Sequence, residues 1–189
     1  MQSTQISVAA TLFLGWAFAQ GTANPSMGKA IYFLRDDPHG QWCGYASESR
    51  LKLQIQPLKA MVVGKVDYSD GRVSVVHLTE TDETGDWAVS DEYTLDENGE
   101  VRGLKRTINI LPEDTSEQQM FVIEKGKATK RRTTYRDLRT GRPTHKSADW
   151  FEPPPVITNL RAFPFWTLIV GNQQLVWSNE VFCVPGSPK

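Results

Sequence analysis

Histidine and cysteine, the residues that most often hold metals or serve as nucleophiles, are scarce in this chain. It has three histidines and two cysteines in 189 residues. Cys43 and Cys183 stand near opposite ends, and His39, His77 and His145 are each isolated. That spacing excludes a CxxC redox pair and indicates no zinc site. The short motifs that fix a chemistry are missing as well. There is no G-x-S-x-G elbow, no phosphate loop, no G-x-G-x-x-G and no H-E-x-x-H. No cofactor is indicated. The net charge is only −1, from 21 Lys+Arg against 22 Asp+Glu, so the overall field draws the chain to neither nucleic acid nor an anionic membrane. Past the N-terminus no apolar run reaches the roughly 20 residues that a spanning helix needs.

Charge is also absent from the first nineteen residues, and there the absence is informative. Met1 to Ala19 carries no charged side chain, its apolar stretch Ile6–Ala19 is too short to span, and it ends Ala17-Phe18-Ala19 before Gln20. This is the pattern of a secretory signal peptide with a small-x-small cleavage site, although the n-region lacks the usual Lys or Arg. The competing reading is a buried N-terminal helix. Taken as a leader, residues 1–19 predict export to the periplasm or the extracellular space, with no transmembrane anchor after cleavage. Residues 20–189 then form one domain, long enough to bury a core. In an oxidising compartment the two cysteines have one intramolecular pairing, Cys43–Cys183. The alternative is two separate buried thiols.

What is present is turn chemistry. Asp36-Asp37-Pro38-His39-Gly40, Ser69-Asp70-Gly71, Asp82-Glu83-Thr84-Gly85, Asp96-Glu97-Asn98-Gly99, Glu124-Lys125-Gly126 and Arg139-Thr140-Gly141 punctuate segments rich in Val, Ile, Thr, Tyr and Phe. That rhythm predicts an antiparallel meander. Asn98-Gly99 pairs Trp87–Leu95 with Val101–Leu111. The same logic pairs Met61–Tyr68 with Arg72–Glu80, Gln119–Glu124 with Lys127–Arg136, and Ile31–Arg35 with Trp42–Ala46. The alternation in Leu51–Gln56 predicts a half-buried strand. Val101–Ile110 has an apolar face interrupted by Arg106, and Met120–Ile123, apolar on both sides, predicts a strand covered on both faces. A further strand is expected after Gly141. Residues 147–160 contain Pro153-Pro154-Pro155 and form a stiff connector. Asn159 can then cap a short helix, and Phe163–Val170 is an apolar plug. A last strand over Gln174–Val181 would return Cys183 to the first hairpin. The fold class is mainly β, a meander curled into an open barrel or sandwich with a short C-terminal helix or apolar plug.

Three constellations carry the functional readings. Nine acids and no base lie between Glu80 and Glu100, whereas nine bases and one acid, Asp137, lie between Lys125 and Lys146. Arg131, Arg132 and Arg136 are the candidate contacts for an anionic partner, against the plainer reading of solvated strand faces neutralised by acidic neighbours. The acids over 82–86 lack the spacing of a calcium loop and predict a solvated turn. Trp150, Phe163 and Trp166 are candidate lining for a small apolar ligand, against the plainer reading of core aromatics. His77 with a carboxylate is a candidate acid–base pair, against a structural histidine. The first-ranked function is therefore an exported non-catalytic binding or carrier module for an apolar or small ligand. The second is a protein-interaction or structural factor using its charged faces. A small hydrolase or lyase with dispersed acid and base residues ranks third, so the sequence leans against an enzyme.

Overall fold

A computed structural model describes residues 31–35, 41–45, 47–58, 62–145, 153–170 and 182–184. The leader, His39, Trp150 and the strand expected over 174–181 lie outside the described residues. The protein is mainly β. Strands β1 (Ile31–Arg35), β2 (Trp42–Tyr45), β3 (Val62–Ser69), β4 (Arg72–Thr81), β5 (Trp87–Leu95), β6 (Val101–Ile110), β7 (Thr115–Glu124), β8 (Lys127–Asp137) and β9 (Phe182–Val184) form one antiparallel sheet. Their order is β8-β7-β6-β5-β4-β3-β1-β2-β9. The sheet is open: β8 and β9 end it and are not paired to each other.

The expected hairpins form for the reasons legible in their turns. Asp70-Gly71 and Lys125-Gly126 each place two consecutive residues at positive φ, the twist-matched geometry of a two-residue hairpin. Asn98-Gly99 works differently. Only Gly99 has positive φ, and Asp96 Oδ1 accepts from the backbone N–H groups of Asn98 and Glu100. The result is a four-residue turn with a bulge at Thr94/Leu95.

Three sequence expectations need correction. Leu51–Gln56 is not a strand but part of helix α1 (Glu48–Leu58). Ser47 Oγ accepts from Arg50 N–H at 3.4 Å and Glu48 pairs with Lys52 one turn on, which are helix-start and helix-face signals. Topology also demands it. Strands β2 and β3 run parallel on either side of β1, and a parallel return needs a crossover rather than a tight turn. The described residues directly after Gly141, 142–145, form no strand; an isolated bridge, Arg136↔Pro143, takes its place. Met120–Ile123 is fully covered on one face only: Phe121 and Ile123 are buried, while on the other face Val122 is half-buried and Met120 exposed.

Pleating gives the sheet two different faces. On the front, Val66, Val76, Tyr93, Leu104 and Phe121 stand side by side in one row across β3 to β7. All are buried. The C-terminal segment covers them. It is pinned to the β5–β6 turn by Val101 N–H to Thr158 O and Leu160 N–H to Gly99 O. Asn159 caps a single 3-10 turn by accepting from Ala162 N–H at 3.2 Å, and helix α2 (Trp166–Val170) follows. On the back, α1 sets Leu51 against Tyr45, with Cys43 and Val63 packed alongside.

Candidate functional site

Phe163 and Trp166 belong to the plug rather than to the rim of an empty cleft. Phe163 and Phe165 are fully buried, and Phe163 meets Tyr93 edge to face at 5.1 Å between ring centroids. Phe165 meets Trp42 in the same way at 5.1 Å. Trp166 packs half-buried on this cluster. Aromatic rings in such pairs contribute beyond their buried area, so these side chains fill the front face.

One row further along the front face, the chemistry changes. Asp91 and Arg106 face each other across β5 and β6. Arg106 Nε and Nη2 each donate to an Asp91 carboxylate oxygen at 2.7 Å. Both side chains are only 9% exposed. Beside them the Tyr93 hydroxyl is buried with no hydrogen-bond partner among the described residues. Burial and then the Asp91 charge push its phenol well up, against the opposing charge of Arg106, so it stays protonated. Next along the front face, Glu117 Oε1 accepts from Gln119 Nε2 at 2.7 Å and from the Tyr135 hydroxyl at 3.4 Å. Arg106, the polar interruption on an apolar strand face, is thus half of a buried ion pair. The sequence signal was present, but it did not identify Asp91 as the partner.

The back face over β3–β6 carries a cluster of ionisable side chains. Lys65, His77, Glu92 and Lys105 form one row, with Asp67 next to Lys65. His77 Nε2 lies 3.0 Å from Asp67 Oδ2, and its Nδ1 lies 3.9 Å from Glu92. Lys65 reaches Asp67 at 2.7 Å and Lys105 reaches Glu92 at 3.7 Å. The structure therefore joins His77 to a carboxylate, on an open sheet face with each partner about one-third exposed. Partial burial works to raise the Asp67 carboxyl, but hydrogen bonds and charge from His77 and Lys65 outweigh it and hold it below its ordinary 3.8. A carboxylate depressed by folding stabilises the protein above its unfolded-state value, and the contribution drains away as pH falls through the lower folded value. Asp67→Asn is therefore expected to cost stability at pH 6, and the cost to shrink as the pH falls through the carboxyl's lowered folded value. Urea midpoints of both proteins across that range check this; a gap that stays constant on acidification would refute it.

The acids and bases segregated along the sequence do not neutralise one another across the sheet. Asp91, Glu92 and Asp96 are matched by Arg106, Lys105 and Arg102 on β6. Asp82 accepts from Thr84 Oγ1 and the Trp87 backbone N–H, closing its own turn. On β8 the situation is opposite. Lys127, Lys130, Arg131, Arg132 and Arg136 are all exposed. None of them lies within salt-bridge distance of a carboxylate among the described residues. Their cross-strand partners on β7 explain why. Arg132 faces Met120, Lys130 faces Phe121 and Arg136 faces Ser116; only Lys127 faces an acid, Glu124. Lys130 Nζ lies over the Phe121 ring at 5.7 Å, and Arg136 donates to Gly141 O at 3.0 Å. Arg132 and Arg136 share the back face, while Arg131 sits in the bulge at Met120/Phe121.

Cys43 and Cys183 stand opposite each other on β2 and β9 and are disulfide-bonded. The bond is compatible with an oxidising compartment. No helix among the described residues is long and apolar enough to cross a membrane. No family model, curated protein or solved structure matches this chain.

Proposed function

We propose that this chain is an exported, non-catalytic binding module that engages an anionic partner through its basic edge strand β8. One observation carries the reading: among the described residues β8 holds five exposed cations without carboxylate partners, whereas on the inner strands β3–β6 Lys65, Arg102, Lys105 and Arg106 are each paired and Arg72 alone, at the start of β4, is not. A cation already paired has little left to offer a ligand; an unpaired cluster produces a local positive field even when net charge is near zero. Export is supported by the uncharged leader pattern and the disulfide. A carrier for a small apolar ligand is the competing reading. On the front face such a ligand has to displace Phe163 and Phe165, which occupy the space beside Tyr93 and Trp42.

Immobilised heparin and immobilised poly-glutamate are suitable anionic probes. The wild-type protein is expected to be retained and to elute with salt, because exposed charge pairs are screened. Replacing Arg131, Arg132 and Arg136 together by Ala is expected to abolish retention on the preferred probe. Exposed substitutions of this kind change stability little, so the variant should keep its fold. Equal retention of the variant and the wild type would end this reading.

A further inference from the structure

Building on the basic-edge reading, we infer that the partner is an acidic, extended polypeptide segment that adds to β8 as a further strand of the sheet. Cations alone would accept any polyanion. The backbone of β8 asks for more. It is an 11-residue strand at the end of the sheet, hydrogen-bonded to β7 on one side. Among the described residues its outer edge is engaged at the C-terminal end only, where Asp137 N–H donates to Arg142 O and Tyr135 O accepts from Thr144 N–H. Those two bonds reveal which backbone groups point outward. In an antiparallel pair, alternate residues turn their N–H and C=O away from the neighbouring strand. The register with β7 is regular from Asp137 back to Arg132, so Thr133 also points its backbone N–H outward. A row of outward donors and acceptors is matched by another peptide backbone, not by a polysaccharide or a lipid headgroup.

The side chains select which peptide. A long exposed edge invites pairing with a second copy of itself, and charged residues on the edge suppress it. Five cations on β8 repel another β8. The same charges favour a strand bearing Glu or Asp, so one device excludes the wrong partner and attracts the right one.

The test uses the full mature chain and fluorescence anisotropy with three probes. These are a labelled peptide of alternating Glu and Val, the same peptide with alternate amides N-methylated, and a labelled heparin fragment. The unmethylated peptide is expected to bind, and N-methylation to weaken it by about tenfold or more, since several backbone bonds are lost. Thr133→Pro removes one outward donor without touching the β7 ladder, a position where an edge strand tolerates proline. It is expected to weaken the peptide and leave heparin unaffected. Equal binding of both peptides would overturn strand addition and leave a purely electrostatic edge, as would binding of heparin with no binding of peptide. Loss on N-methylation without loss in Thr133→Pro would move the ladder to another edge and overturn the assignment to β8. Binding of no probe would remove the basic-edge reading itself.

Discussion

Replacing Arg106 by Met is expected to destabilise the protein by about 3–5 kcal/mol, the usual cost of stranding one member of a buried ion pair. Asp91 would remain beside Tyr93 with a charge it had shared through two 2.7 Å bonds. Its row lies between buried Leu104 and Ile108 on β6, so water has little access to replace the guanidinium. Removing both charges is a different matter. Asp91→Leu combined with Arg106→Met replaces the pair by apolar side chains on an apolar face, and the double variant is expected to recover most of the loss. Desolvating two ions often consumes what their attraction returns. The check is a double-mutant cycle from urea unfolding, with Asp91→Leu as the second single variant. Strong coupling of opposite sign to the single losses is expected. Additive losses in the double variant would show that the pair stabilises through packing around it rather than through charge.

That pair also marks where sequence reasoning reached and where it stopped. The meander was legible because its punctuation is local: Asp70-Gly71 and Lys125-Gly126 set positive φ in two-residue turns, and alternation fixes which side chains share a face. The plug was legible because Asn159, Pro164 and the apolar run after it are local signals as well. Helix α1 was misread because Leu51, Leu53 and Ile55 satisfy a period of two over a short window. What decides for helix is the need to cross from β2 to a parallel β3, a fact of topology. The same division holds at the surface. Composition showed that Arg131, Arg132 and Arg136 lie among other bases. It could not show that the acids of β5 spend themselves on β6, because cross-strand register pairs residues far apart in sequence. The Asp91–Arg106 and Glu92–Lys105 pairs follow from that register, and they leave β8 with its charge unspent.

Substituting Cys43 and Cys183 by Ala is expected to lower stability by about 5 kcal/mol in the chain-entropy account. The size follows from the sequence separation of 140 residues, since a longer closed loop removes more freedom from the unfolded chain. The bond also has a local role that this arithmetic omits. Strand β9 is three residues long and, among the described residues, pairs with β2 alone. So short a strand at a sheet edge holds weakly by its own ladder; the disulfide ties it to Cys43. Trp42, the neighbour of Cys43, reaches the other face and packs on Phe165 of the plug. Loss of the bond should therefore be felt first at β2 and β9. Hydrogen exchange on the reduced protein, compared with the oxidised one, is expected to show faster exchange in residues 42–45 and 182–184, with the β4–β7 ladders still protected. Urea unfolding of the double-Ala variant gives the global figure. A loss below about 1 kcal/mol would contradict the entropy account. Uniform acceleration across the whole sheet would mean that β9 is not a separately held edge but part of one cooperative unit with the meander.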